Sequence, residues 1–330
     1  MEQIRRWRRA ARVVAVDDAD EAPIRGRRRR RPPIEVRRFA GPQAHREQLD
    51  HLRIAHLTDL HFGRVTPMRI QQMAVELTNA SNADLVAITG DFVCHSQAYL
   101  EQLAEVLSQI EAPVIGVLGN HDYWSGAPEV LRALDRAGVE MLRNANTTIT
   151  LRRQSLQVVG LDDAYTGHAD REAATKGLRP DRPTIALSHI AEEADALWVK
   201  GAPLVLSGHT HAGQVTLAGL HELSIGRVAG HKYVHGLYGR RAPGPGEEPL
   251  GAVYVGAGIG ASVMPIRLGD RGRRELALFE LGADIGTFEE HHEEQAPLPG
   301  RAPSAKVKAK RANSVKRKRA RRERRRGDDE

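Results

Sequence analysis

Five short apolar runs constrain this chain more than any other feature, because each ends in side chains that can bind ions. Residues 52–57 lead into TDLHFG, with Asp59 and His61. Residues 85–89 lead into GDFV, with Asp91, and 114–118 into GNHDYW, with Asn120, His121 and Asp122. Residues 184–188 lead directly to His189, and 204–207 into GHTH, with His209 and His211. Short apolar runs bounded by glycine and polar residues read as strands. In open α/β sheets the carboxyl ends of the strands line the ligand crevice. A sheet built from these runs therefore brings the polar ends to one place.

Further β-prone runs lie at 147–151, 156–161, 214–217, 252–255 and 275–281. Helical spacing separates the early runs. TPMRIQQMAVELTNA predicts a helix with Thr66 as N-cap and Pro67 at the first helical position. Residues 98–110 and 128–138 have the same spacing, the latter closing on Gly138. Alternating strands and helices, followed by strand-rich sequence, predict an α/β domain with packed sheets. Hydrophobic residues make up 41% and aromatics 4% of the chain, so the core is mainly aliphatic. The single cysteine, Cys94, excludes an intrachain disulfide and suits a reducing compartment.

The net charge of +7 is unevenly distributed. Residues 1–38 hold 13 Arg against 6 Asp and Glu, and residues 301–330 hold 14 Lys and Arg against 4. Between them lies a body with 22 basic and 32 acidic residues. The blocks 25–33 and 306–330 are too poor in apolar residues to offset the entropy of ordering. The organisation expected is a basic, partly disordered N-terminal segment over 1–49, a domain over 50–283, and a linker with a disordered basic tail over 284–330.

Carboxylates, an amide oxygen and imidazoles suit Mn²⁺, Fe or Zn²⁺. Seven or eight such groups are too many for one ion and suit two, with a carboxylate bridging them. An ion pair of this kind acidifies a water and neutralises phosphate oxygens during in-line attack.

The set D-x-H, G-D, G-N-H-D, a lone histidine and G-H-x-H resembles the calcineurin-like metallophosphoesterase superfamily. The strings AHLTDLHFG, ITGDFV, GNHDYWSG, VVGLDDA, LSHIAE and SGHTHAGQ resemble its bacterial YkuE/YaeI-type branch. That branch includes enzymes cleaving UDP-diacylglucosamine. The resemblance covers about residues 50–282 and implies a four-layer β-sandwich of two mixed sheets flanked by helices. It implies that Asp59, His61 and His211 hold one divalent ion, that Asn120, His189 and His209 hold a second, and that Asp91 bridges them. Manganese is the first expectation, with Fe, Zn or Mg as alternatives. His121 would approach the substrate phosphate, stabilising charge or protonating the leaving oxygen, and Asp122 would orient it. The glycines of SGHTHAGQ would let both imidazoles reach the ions.

The sequence departs from the branch at two places. SHIAE lacks the proline often found after its histidine, and Ala257 stands where an arginine is common, although Arg267 is kept. The substrate implied is a phosphodiester or a pyrophosphate, in a nucleotide-linked lipid or in a cyclic or linear diester. The competing reading is a non-catalytic adaptor that binds nucleic acid or anionic membrane through its basic ends.

Other polar groups have blander readings. His56, His95 and His168 read as ordinary surface or core residues. His221, His231 and His235 lie in a glycine-rich stretch that could approach the site. Asp162 and Asp163 either shape the cleft or form a turn, and HHEEQ at 291–295 reads as a solvated linker. In MEQIRRWRRAARVVAV, Ile4, Trp7, Ala11 and Val14 share one helical stripe among arginines. That pattern suits an anionic membrane surface, and disorder is the alternative. The C-terminal tail could meet nucleic acid or anionic lipid nonspecifically. No apolar run approaches the roughly 18–20 residues that span a bilayer, and no signal peptide is evident. The expected location is cytoplasmic, peripheral at the inner membrane face.

Overall fold

Among the residues described by the computed structural model (32–213, 229–243, 251–261, 267, 272–288, 290 and 292–300), twelve strands build two six-stranded sheets. In chain order these are β1 Ile34–Ala40, β2 Leu52–Leu57, β3 Leu85–Thr89, β4 Val114–Val117, β5 Val139–Met141 and β6 Ala145–Leu151. They continue as β7 Gln154–Leu161, β8 Thr184–Ser188, β9 Leu204–Ser207, β10 Gly236–Arg240, β11 Gly251–Val255 and β12 Arg274–Leu281.

The first sheet has the order β1-β12-β2-β3-β4-β5, parallel throughout except where β12 meets β2. The second has the order β10-β11-β9-β8-β7-β6, antiparallel only at its two edges. Leu52 and Ile54 of β2 point to the second sheet, where Leu187, Leu206 and Tyr254 meet them in one core. Ala55 and Leu57 point the other way, toward the helices Met68–Ala80, Leu100–Leu107 and Ala127–Arg136. The short helices Arg171–Thr175 and Ala194–Val199 cover the outer face of the second sheet through Ala174, Ala194 and Leu197. Both sheets are therefore two mixed sheets flanked by helices. Strands covered on both faces must be apolar on both, which is why the central ones read as unbroken runs. Each large aliphatic side chain so buried contributes about 1.5–3 kcal/mol.

The structure departs from the sequence expectations in several places. β1 lies inside the 1–49 segment that had been set outside the domain, and it pairs in parallel with β12 along its whole length. Its charges are compensated locally: Arg37 Nε is 2.7 Å from Glu275 and Arg38 Nε 2.6 Å from Glu280. Glu290 and Glu294, expected in the linker, are tied back by Arg241, whose guanidinium meets Glu290 at 2.6 and 2.7 Å and Glu294 at 2.8 Å. Pro67 is the N-cap itself, in extended backbone, with helix beginning at Met68; the Thr66 hydroxyl instead accepts from the Ala261 amide. The 98–110 stretch is a 3₁₀ turn followed by Leu100–Leu107. The run 214–217, His221, the first 31 residues and the tail 301–330 lie outside the described residues. No described helix is long and apolar enough to cross a membrane.

Candidate metal centre

All five expected strand ends meet at one edge of the sandwich. Asp59 Oδ1 lies 3.3 Å from His211 Nε2 and 3.8 Å from His61 Nε2. The two imidazole nitrogens are 2.9 Å apart. On the other side, Asn120 Oδ1 lies 3.1 Å from His189 Nε2 and 2.9 Å from His209 Nδ1. Asp91 Oδ2 sits between the groups, 3.5 Å from His61 Nε2 and 3.4 Å from His189 Nε2. The seven residues thus form two lobes that share one carboxylate oxygen.

The second atoms of these groups are already used. Asp59 Oδ2 accepts from the Thr58 hydroxyl at 2.8 Å and the His209 amide at 3.0 Å. Asp91 Oδ1 accepts from the His121 amide at 2.8 Å. His189 Nδ1 donates to the Thr89 carbonyl at 2.7 Å, which leaves Nε2 facing the cluster. Such outer partners fix ring orientation and tautomer. Asp59 Oδ1, by contrast, is buried with no hydrogen-bond partner among the described residues. A buried carboxylate oxygen without a donor is costly unless a cation faces it. That orphan oxygen and the two facing imidazole nitrogens fit a metal ion.

The backbone is strained where the ligands sit. Asp59, His61, Asp91, His209 and His211 have φ of 49°, 46°, 55°, 75° and 51°, in the left-handed region. Each such residue costs on the order of 1–3 kcal/mol and persists only when its surroundings over-determine it. Gly90, at φ 84°, turns the β3 end so closely that its would-be Cβ lies 2.8 Å from His189 Nδ1.

Burial and mutual charge set the protonation states. Burial, together with the charge of Asp91, raises the Asp59 pKa. Burial opposes ionisation of Asp91 too, but His189, His121 and His61 hold it well below the usual carboxylate range. His61 and His209 are pushed well below the ordinary histidine value by burial, and His211 to about 3 by burial with Arg267 nearby. His189 goes the other way: against its burial, Asp91, Asp59 and Asp163 lift it to about 10.

His121 stands at the open side, its Nε2 3.9 Å from Asp91 Oδ2. Asp122 does not reach its ring. The Asp122 carboxylate accepts from the Gly119 amide at 2.9 Å and the Val93 amide at 3.2 Å, tying the β3 and β4 ends together. Its expected role in orienting the His121 side chain is corrected accordingly, because both its oxygens are committed to backbone. Burial beside Asp91 raises it to about 8.

Among the neighbours, Cys94, Trp124 and Tyr165 were not expected at the site, His95 reads as an ordinary residue in the sequence, and His231, Asp163 and Arg267 were named there without a role as ligands. Cys94 Sγ falls with His61 and His121 in a group whose ligand atoms lie within 4.8 Å of one another. Trp124, Tyr165, His95 and His231 border the cluster as a chain of rings. Trp124 is 4.8 Å from His121, Tyr165 5.1 Å from His209, and His231 5.5 Å from His209. Asp163 forms the turn that holds Tyr165, accepting from its amide at 3.2 Å and from Thr166 at 2.6 and 2.7 Å. Arg267 Nη2 lies 3.4 Å from His211 Nδ1, and its Nη1 donates to the Ala257 carbonyl at 2.7 Å. His56 is buried on the Thr89 hydroxyl and His168 stacks on Tyr123. His235 joins Glu275 and His292 in a second buried group. The Glu275 carboxylate there is already met by Arg37, the Tyr254 hydroxyl and the Ala257 amide.

A helix–sheet–sheet–helix sandwich with two carboxylate-linked ligand lobes at one edge defines an α/β domain able to hold metal ions. Residues 52–213 match the family model described as calcineurin-like phosphoesterase. These residues are a calcineurin-like phosphoesterase domain, as the five motifs indicate. It is 27% identical over 237 residues to phosphodiesterase YaeI of Escherichia coli, covering 69% of this chain and 82% of YaeI. It is 27% identical to the metallophosphoesterase YkuE of Bacillus subtilis, covering 70% and 79%. A zebrafish (Danio rerio) transmembrane protein with a metallophosphoesterase domain is 32% identical, covering 68% of this chain and 52% of that protein. The chain spans about half the length of several curated relatives it matches. Among solved structures, a putative 5′-nucleotidase from Staphylococcus aureus aligns with TM-score 0.42 at 12% identity, over 73% of this chain and 56% of that one.

Proposed function

We propose that this chain is a two-metal phosphodiesterase. The observation that carries the reading is the placement of Asp91 Oδ2, which faces His61 at 3.5 Å on one side and His189 at 3.4 Å on the other. Asp59, His61 and His211 would hold one ion, Asn120, His189 and His209 the other, and Asp91 both. Two divalent ions, manganese first among those this oxygen-and-imidazole set accepts, supply an acidified water and charge neutralisation for in-line displacement at phosphorus.

The chain's own residues do the rest. Thr58, the His209 amide and the Thr89 carbonyl hold Asp59 and His189 in register. His121, on the open side, meets the phosphoryl oxygens or gives a proton to the leaving oxygen. A diester follows the relative named phosphodiesterase YaeI, and a pyrophosphate in a nucleotide-linked lipid such as UDP-diacylglucosamine is the alternative. The arginine common in the branch is replaced here by Ala257, whose amide is bonded to Glu275 at 2.6 Å. Contact of the basic ends with anionic membrane or nucleic acid, and a place at the cytoplasmic membrane face, rest on charge alone.

The test is the initial rate of bis-p-nitrophenyl phosphate hydrolysis with and without added Mn²⁺. Mn²⁺-dependent turnover is expected, abolished in Asp91→Ala and undiminished after trimming residues 1–31 and 301–330. Near-normal turnover by a folded Asp91→Ala protein sinks the reading. Function lost on trimming alone points instead to the adaptor.

A further inference from the structure

We infer that Cys94, with His61 and His121, forms a further cation site beside the two lobes, one that takes a thiol-seeking ion such as Zn²⁺ or Cd²⁺ and arrests the centre when filled. The inference rests on the phosphodiesterase reading and adds its regulation. One ligand atom from each of the three residues lies within 4.8 Å of the others. Cys94 is the chain's single cysteine, and its sulfur stands beside a centre otherwise built from oxygen and imidazole.

Backbone pairing puts the thiol there. The Phe62 amide donates to the Phe92 carbonyl at 2.8 Å and the Cys94 amide to the Phe62 carbonyl at 3.0 Å, so the loops after β2 and β3 run side by side. Gly63 lets them close, since a Cβ there would lie 3.0 Å from Cys94 Cβ. His121, just beyond β4, packs edge-on against His61 with ring centres 4.7 Å apart. His61 is fully buried and turns Nε2 to the first lobe, 2.9 Å from His211 Nε2. Nδ1 of His61 and Nδ1 of His121 are both buried with no hydrogen-bond partner among the described residues. Buried ring nitrogens left so are costly until a ligand meets them.

A further donor stands on the outer side. His95 is exposed, and its Nδ1 lies 3.5 Å from Cys94 Sγ. With Zn–S near 2.3 Å and Zn–N near 2.05 Å at a tetrahedral angle, a sulfur and a nitrogen on one zinc ion are about 3.5 Å apart. The Cys94–His95 pair thus has the spacing of zinc ligands and gives an ion a way in from solvent. Thiolate selects zinc and softer ions, whereas manganese prefers oxygen. On binding, the sulfur–cation bond forms and the thiol proton leaves to water. The ion then holds His121 away from the phosphate and competes with the first lobe for His61, so the filled site inhibits.

The test titrates the full chain, loaded with Mn²⁺, with Cd²⁺ and follows the ultraviolet charge-transfer band of a cadmium–thiolate bond. With a single cysteine, the band reports Cys94 alone. It should saturate at one Cd²⁺ per chain, be absent in Cys94→Ser and need at least about tenfold more Cd²⁺ in His121→Asn. In parallel, Zn²⁺ should inhibit bis-p-nitrophenyl phosphate turnover at a concentration about tenfold to a hundredfold lower in the native chain than in Cys94→Ser, whose turnover without Zn²⁺ is native. Cys94→Ala is the second variant should the serine protein not fold. No band, a band indifferent to His121→Asn, or equal Zn²⁺ inhibition with and without the thiol overturns the site. A Cys94-dependent band in a protein that hydrolyses no diester leaves the site standing and removes the phosphodiesterase reading.

Discussion

Gly119→Ala should disable the centre without replacing any of the ligand residues. Gly119 has φ −108° and ψ 177°, a conformation open to any residue, so the substitution adds volume and nothing else. The added Cβ would lie 2.5 Å from the Asp91 amide nitrogen and 3.0 Å from Asp91 Cγ, and closer still to Oδ1. Ordinary contacts begin at about 3.4 Å, so the β3 and β4 ends must separate by roughly half to one ångström. The amide is backbone and cannot rotate away, and Asp91 Oδ1 is anchored to the His121 amide. Overpacking of this kind costs about 1–3 kcal/mol of stability. Misplacing an outer-shell group lowers metal affinity about tenfold to a hundredfold, and a 1 Å error at a reacting centre costs about 10²-fold in rate. Urea unfolding, metal content after gel filtration and bis-p-nitrophenyl phosphate turnover measure these separately. Gly116→Ala in β4 is the comparison, since its Cβ would press on side-chain ends, the Met141 sulfur at 3.0 Å and the Phe92 ring at 3.1 Å, and not on a ligand residue. It should lose stability and keep metal. A folded Gly119→Ala protein with native metal content and turnover would refute the reasoning.

Three further outcomes are expected. His121→Asn should lower turnover about 10²–10⁴-fold while metal content holds, because His121 is outside the two ligand lobes; loss of metal in parallel would make it a ligand instead. His45 is buried on the Thr184 carbonyl, with burial lowering it to about 4. The folded state therefore binds fewer protons than the unfolded one. Stability is whole above about pH 6.5 and falls by about 3 kcal/mol as pH drops toward 4, and His45→Gln should flatten that part of the urea-midpoint profile. Arg241 is nearly fully buried between Glu290, Glu294 and the Ala40 carbonyl. Arg241→Ala leaves those carboxylates only backbone donors, the Ala40 amide on Glu290 and the residue 241 amide on Glu294, which should cost about 2 kcal/mol and open the chain around Glu290 and Glu294 to limited proteolysis; an unchanged cleavage pattern would count against the tie.

The parts of this fold legible in the sequence are those where one physical demand acts alone. β2, β3, β8 and β9 begin and end where the apolar runs do, because strands covered on both faces carry no polar interruption. All seven ligand candidates follow from that, since each stands just beyond a strand end. β1 was illegible because IEVRRFA carries Glu35, Arg37 and Arg38 in a basic context, and their partners Glu275 and Glu280 are more than two hundred residues away. β10, GLYGR, is hidden by its glycines, and β5 is only three residues long. Asp122 was misread for a similar reason. Its neighbour in sequence is His121, while its hydrogen-bond partners are two backbone amides, Gly119 and Val93, the latter on another strand's loop. The contact between Trp124 and Tyr165 needed three dimensions, because one follows β4 of the first sheet and the other β7 of the second.

β12 lies between β1 and β2, so the strand that completes the first sheet is made last of the twelve. During synthesis β2 therefore emerges with one edge open, and β1 has nothing to pair with until residues 274–281 arrive. Closing so long a loop adds little to equilibrium stability but slows folding, and an open strand edge invites pairing with other chains meanwhile. A nascent chain halted before residue 274 already contains every ligand of the centre, yet its first sheet is left split at β2.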